Sequence, residues 1–267
     1  MTREEVISTF NINIKGTGSS IMLFAHGFGC DQNMWRFLVP DFEKDFTTIL
    51  FDLMGCGRSD VSRYHPDRYN SLDGHADDLV KICDGLQLKN ITLVAHSVSA
   101  MIGAIASRKR PELFSEIIMI CPSPYYLNEE GYKGGFNKED IESLLVQMEN
   151  NYLGWAASMA PVLMNNSGEL VYEKELSESF CRNNPEIAKQ FARVTFLSDN
   201  RKDITNIAIR TLIIQCREDI VAPPEVGQFM HKRIPDNEMA VIDVIGHCPH
   251  LSAPLETSKA MRSFLFN

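Results

Sequence analysis

Six short apolar runs, rich in β-branched residues, recur along the chain at 20–25 (SIMLFA), 47–51 (TTILF), 91–95 (ITLVA), 117–121 (IIMIC), 212–216 (LIIQC) and 239–244 (MAVIDV). Runs of this length with few polar positions read as strands buried on both faces, the pattern of a parallel sheet covered by helices. Helical stretches lie between them at 31–42, 72–86, 98–108, 225–233 and 255–264. Such alternation predicts an α/β sheet. It stops between Pro122 and about Asp199, where no strand candidate occurs. There Asn137, followed by Asp140, is placed to cap a helix carrying Ile141, Leu144, Leu145 and Met148, and Asn184-Pro185 opens another carrying Ile187, Phe191 and Val194. Four short helices from roughly 137 to 197 would form a cap. The expected organisation is one α/β core in two parts, 1–122 and 200–267, interrupted by a helical insertion at 123–199. The sequence shows no internal repeat.

The remaining composition narrows the function. A formal net charge of −9 argues against a surface that neutralises nucleic-acid phosphates or anionic lipid. No apolar run approaches the ~18 residues that span a bilayer, and the first ten residues, with Arg3, Glu4 and Glu5, lack a signal-peptide core. A cytoplasmic protein without nucleic-acid or membrane partners is expected. The seven cysteines (Cys30, Cys56, Cys83, Cys121, Cys181, Cys216, Cys248) are scattered and contain no CxxC pair, so they suggest reduced thiols rather than a disulfide framework or a zinc ribbon. His247-Cys248-Pro249-His250 has a metal-binding look, but its proline and its missing partner cluster speak against that reading. Neither metal nor cofactor is expected.

Candidate chemistry begins at Ala95-His96-Ser97-Val98-Ser99, where a buried strand gives way to a helix with Ser97 at the centre of a G-x-S-x-G-like pentapeptide. The flanking positions must be small because strand and helix approach closely there, and Ala95 and Ser99 are small although neither is glycine. A serine hydroxyl needs a neighbouring base. His247, in Gly246-His247 after the last strand, is the candidate, with His250 as the nearby competitor. The histidine in turn needs an anion to fix its tautomer and stabilise its charged form. Asp219, just after the strand at 212–216 and before Val221-Ala222-Pro223, fits that role, and the adjacent Glu218 is the alternative. The order Ser, acid, His is that of the α/β-hydrolase fold, in which one oxyanion donor follows the nucleophile and another comes from an early loop. Those donors are the backbone N–H groups of Val98 and, within His26-Gly27-Phe28-Gly29, of Phe28. Taken singly, a serine at a strand end or a His-Gly pair is an ordinary cap or turn. Their joint order at the right junctions carries the argument. By contrast, the segment from Asp52 through Gly55 and Gly57 to Ser59 reads as scaffold, with Asp52 bonding locally.

At these residues the chain resembles one branch of the α/β-hydrolases, the RsbQ-type bacterial stress regulators and the plant karrikin and strigolactone receptors. The resemblance runs along nearly the whole chain. It is carried by His26-Gly27-Phe28-Gly29-Cys30-Asp31-Gln32, His96-Ser97-Val98-Ser99-Ala100, Gly134-Gly135-Phe136, Asn151-Tyr152-Leu153-Gly154-Trp155 and Gly246-His247-Cys248-Pro249-His250-Leu251-Ser252. Ser99 matches the plant members, whereas Phe28-Gly29-Cys30-Asp31, Ser123-Pro124-Tyr125-Tyr126-Leu127-Asn128 and Phe180-Cys181 lean towards RsbQ, the side favoured overall. Ala95 departs from both, where glycine is usual.

The resemblance implies a four-helix cap over a mostly apolar pocket, a small lipophilic ester or lactone as ligand, and slow hydrolysis coupled to signalling. The implied regulatory partner is a phosphatase on the RsbQ side and an F-box protein on the plant side. Carried over residue by residue, the pocket wall comprises Phe28, Tyr126, Phe136, Trp155, Met159 and Phe196, with His96 and Val98 beside the nucleophile. Met159 stands where the plant receptors lead one to expect an aromatic residue. Aromatic and Met residues at helical spacing also serve as plain cap core, and a lyase or perhydrolase could use the same triad. A haloalkane dehalogenase is disfavoured because its nucleophile would be a carboxylate.

Overall fold

The computed structural model describes residues 1–164 and 170–266; residues 165–169, within the expected cap, and Asn267 lie outside the described residues. Seven described strands form one sheet: β1 (Asn13–Lys15), β2 (Ser20–Ala25), β3 (Phe46–Leu50), β4 (Ile91–His96), β5 (Phe114–Ile120), β6 (Arg210–Glu218) and β7 (Asn237–Ile245). Their order is β1-β3-β2-β4-β5-β6-β7, with only β1 antiparallel to its neighbour. All six expected strands are present with shifted ends. The seventh, β1, is three exposed residues long and carries no apolar run by which it could be found.

Successive side chains of the inner strands enter different cores, as the pleat requires. Leu23, Leu93 and Ile117 pack on one face with helices α1 (Arg3–Thr9), α2 (Asp73–Gly85) and α3 (Val98–Lys109), while Phe24, Val94 and Ile118 pack on the other with Trp35, Phe42 and Phe264. This is why the strands read as continuous apolar runs. The stretch at 31–42, expected as one helix, is instead two 3₁₀ turns, Gln32–Trp35 and Val39–Asp41. Asp31 caps the first by accepting from the Asn33 amide, and Pro40 has no N–H to continue a helical ladder.

Between β5 and β6, ahead of a fifth and much shorter one, lie four long described helices: α4 (Lys138–Asn150), α5 (Tyr152–Met164), α6 (Leu170–Arg182) and α7 (Pro185–Leu197). Asn137 and Asp140 form a reciprocal capping box at α4, and the Asn184 carboxamide accepts from the Glu186 and Ile187 amides at α7. The inner faces of these helices make a third core around Trp155, Leu176 and Phe180. The chain ends with α8 (Arg201–Ile204), α9 (Pro224–His231), α10 (Pro249–Ser252) and α11 (Pro254–Phe266). None of the described helices is long and apolar enough to cross a membrane.

The α4–α7 layer is tied to the loops above the sheet at several polar points. Ser179 Oγ and Asn183 Nδ2 both donate to the Gly29 carbonyl, at 3.0 and 2.8 Å, and Arg36 forms a two-pronged ion pair with Glu175 at 2.6 Å per contact. Gly29 has φ +71°, and a Cβ there would sit 2.1 Å from the Phe180 ring. Only glycine lets loop and helix approach this closely.

Candidate active site

β4 runs straight into α3, and the residue at the junction must turn sharply. Ser97 does so with φ +55° and ψ −124°, a region that a non-glycine residue occupies only when its surroundings hold it there. Its amide donates to the Ile120 carbonyl at 2.9 Å, tying the turn to β5. The elbow forms without glycine on either side. Ala95 is fully buried in register with Ala25 and Met119, and Ser99 uses its hydroxyl to hold the His26 carbonyl at 2.5 Å. Ser99 thereby braces the loop that contains Phe28.

His247 lies 2.9 Å from Ser97 Oγ through Nε2 and 2.7 Å from an Asp219 carboxylate oxygen through Nδ1. The other Asp219 oxygen accepts from the amides of Val221 and Ala222 at 2.9 and 3.2 Å, so the carboxyl group is fixed in a buried position. Glu218, the neighbouring alternative, is exposed and faces Arg217; only its backbone carbonyl contributes here, accepting from Gly246. His250 makes no hydrogen bond to Ser97. It is buried between Trp35 and His96, and burial, reinforced by His247, pushes it down to about 3, so it stays uncharged. The loop bearing His247 is pinned from two sides: His96 Nε2–H donates to the His247 carbonyl at 2.8 Å, and the His247 amide donates to Leu163 of α5 at 2.9 Å. The second bond joins the histidine to the cap.

Phe28 N–H and Val98 N–H donate to no acceptor among the described residues, which leaves both amides available beside Ser97. A Cβ on Gly27 would lie 2.4 Å from the His96 ring, so the loop reaches the elbow only as glycine. Above the serine, the cavity is lined by Phe28, His96, Tyr126, Phe136, Trp155, Met159 and Phe196, all expected from the sequence, whereas Val98, expected beside His96, is not among its lining residues. It also includes Phe180 and Thr195, which sequence reasoning did not place there. Phe180 follows Leu176 and Ser179 on the buried side of α6, a signal that does not separate a cavity wall from cap core. Phe28 is the hub, with the rings of Trp155, Phe180, Phe191 and Phe196 at 5.4–6.3 Å. Tyr126 differs from the phenylalanine walls in carrying a hydroxyl, and burial pushes its phenol up to about 12. It remains a neutral hydroxyl in the cavity that Ser97 also lines.

Such an arrangement can activate a hydroxyl, stabilise charge on a carbonyl oxygen and exclude water with an apolar wall. Comparison with known proteins agrees with the architecture. The family model for the alpha/beta hydrolase fold matches residues 20–254. The chain belongs to the α/β-hydrolase family. Strigolactone esterase D14 of Arabidopsis thaliana is 35% identical over 99% of both chains. Karrikin insensitive 2 receptor CA of Petunia hybrida is 36% identical over 91% of each. Among solved structures, a hydrolase from Oleispira antarctica is 43% identical, covers 100% of this α/β hydrolase and 98% of its own chain, and superposes with a TM-score of 0.98.

Proposed function

We propose that this α/β hydrolase cleaves a small, largely apolar carboxylic ester or lactone. The observation that carries the reading is the unbroken hydrogen-bond chain Asp219–His247–Ser97, opening onto an apolar cavity beside two free amides. Ser97 Oγ attacks the carbonyl carbon as its proton passes to His247 Nε2, and Asp219 stabilises the imidazolium. The carbonyl oxygen, now negative, takes hydrogen bonds from Phe28 and Val98 N–H. Proton transfer from His247 to the alkoxide leaving group leaves an acyl-serine, which water hydrolyses by the same route in reverse.

The cavity wall suits a neutral acyl group and gives no grip to a phosphate. Two wall residues each bury a polar atom, Trp155 Nε1 and Thr195 Oγ1, that has no partner among the described residues. A buried donor without a partner is costly. The deciding assay compares wild type with Ser97→Ala on a chromogenic short-chain ester. A fall in kcat of more than about 10³-fold is expected, and equal rates would sink the assignment.

A second reading is favoured by the names of two relatives, a strigolactone esterase and a karrikin insensitive receptor. In it, slow turnover in the cytoplasm changes the cap and docks a regulatory protein, of the phosphatase type if the leaning towards RsbQ holds. Capture of such a phosphatase by ligand-treated wild type, but not by Ser97→Ala, is the expected result; equal capture by both would remove the requirement for reaction.

A further inference from the structure

Cys121, directly after β5, is a buried thiol that the proposed hydrolysis does not use. Its sulfur, an Asp219 carboxylate oxygen and a His247 ring nitrogen all lie within 4.8 Å of one another, and all three residues are buried. They come from neighbouring places in the sheet: the end of β5, the end of β6 and the loop after β7. Thiolate, imidazole and carboxylate are the three donor types that bind zinc, with metal–ligand bonds of about 2.0–2.3 Å. Donor atoms this close together need only small shifts to share one ion. Cys121 also has φ +48°, held by its amide bonding to the Ile214 carbonyl at 2.8 Å, and a second thiol, Cys216, lies 3.6 Å from its sulfur.

We propose that Cys121, Asp219 and His247 form an inhibitory site for a thiophilic divalent cation, zinc or cadmium, on the side of the imidazole away from Ser97. The nitrogen facing Asp219 is Nδ1. When the cation binds there, the ring's single proton moves from Nδ1 to Nε2, while the Cys121 thiol loses its own. In net terms, the cation and the three side chains, with the ring neutral before and after, release one proton. An Nε2–H cannot accept the Ser97 proton, so the hydrolase is switched off without anything entering the substrate cavity. Inhibition therefore lowers kcat and leaves KM unchanged. It develops slowly, because all three ligands are buried.

The consequence for turnover rests on the proposed function; the binding does not, and the test separates them. Cadmium is titrated under reducing, chelator-free conditions into the protein carrying Cys181→Ser, which removes the exposed thiol. The ultraviolet thiolate-to-cadmium band is followed alongside ester hydrolysis. One cadmium per chain is expected, with the band equally strong when Ser97→Ala is added, and a kcat loss reversed by chelator. Outer-shell changes alone weaken metal sites about 10–100-fold, so Cys121→Ala should keep basal hydrolysis, lose the band and need more than about tenfold more cadmium for inhibition. Cys121→Ser, closer in size to the native residue, should behave likewise. Absence of the band from the Cys181→Ser protein, or its survival in either Cys121 variant, overturns the proposal. A band without any ester hydrolysis would sustain the site and count against the proposed function instead.

Discussion

On the sheet side of the cavity, Ser97, Asp219 and His247 hang from strand ends whose backbones are tied to one another. Ser97 N–H bonds to Ile120, Cys121 N–H to Ile214, and Gly246 N–H to Glu218. On the cap side, Phe28, Trp155, Phe180 and Phe196 are held to one another by ring contacts at 5–6.5 Å. Hydrogen-bonded strand ends fix positions with little latitude, whereas apolar packing tolerates exchange of one large side chain for another. The sheet side thus determines which chemistry is possible. The cap side determines which acyl group meets it.

The largest effect should come from the sheet side. Asp219→Asn keeps the shape of the loop but replaces the anion and disturbs the histidine tautomer, a change that costs serine-protease triads about 10⁴-fold in kcat. A loss of that order is expected in ester hydrolysis, with KM little changed. Glu218→Gln, one residue away and exposed, should leave kcat within about twofold, since surface changes of this kind are worth under ~0.5 kcal/mol. Equal losses in the two variants would break the claim that the sheet side places a single carboxylate.

The same division explains what was legible in the sequence. Strands buried on both faces announce themselves, as do the cap helices that begin at Asn137 and Asn184, because capping is local chemistry. The junction positions of Ser97, Asp219 and His247 follow from chain order and strand ends. What escaped reading depends on contacts distant along the chain. One exception is local: the 3₁₀ turns at Gln32–Trp35 and Val39–Asp41 replace an expected helix through the Asp31 cap and Pro40, although Trp35, Leu38 and Phe42 are buried as a helix would bury them. β1 exists only as an antiparallel partner of β3. Phe180 becomes a cavity wall only because Gly29, some 150 positions earlier, offers a face without a side chain. The choice between Asp219 and Glu218 lay in which side chain meets the amides of Val221 and Ala222, a loop geometry that spacing does not encode.

The next effect probes the cap. Phe180 is almost fully buried, touching Phe28, Trp155 and the open face of Gly29. Truncating a buried phenylalanine to alanine removes its contacts and leaves a cavity, at a cost of about 3–5 kcal/mol. Phe180→Ala should therefore lower the melting temperature strongly and raise KM for compact esters, while the smaller side chain admits bulkier ones. Activity at saturation with the smallest ester should fall far less than in Asp219→Asn. A kcat loss matching that of Asp219→Asn would mean that cap packing positions the triad itself, and the contrast between the two sides would fail.

The smallest effect lies at the seam and is read through acid stability. His75, on α2, is buried with its ring 4.5 Å from Phe191 of α7 and 4.8 Å from Tyr69. Burial above all, with His26 and Arg68 adding to it, pushes it from 6.5 down to about 3, and its Nδ1 has no partner among the described residues. Above pH 6.5 the imidazole is neutral in both the folded and the unfolded chain, and its contribution to stability is fully present. As pH falls below 6.5, the unfolded chain takes up a proton that the folded one refuses, so folded stability declines down to about 3. One such group steepens the loss by about 1.4 kcal/mol per pH unit. His250 also loses stability in acid, but it lies against Trp35 and His96 on the sheet side, so its share should persist when His75 is replaced. Denaturant unfolding of wild type and His75→Phe at several pH values below 6.5 measures the difference in slope. The variant should be flatter by about 1.4 kcal/mol per unit, while an unchanged slope would mean that His75 accepts its proton in the folded protein and that the seam opens readily to water.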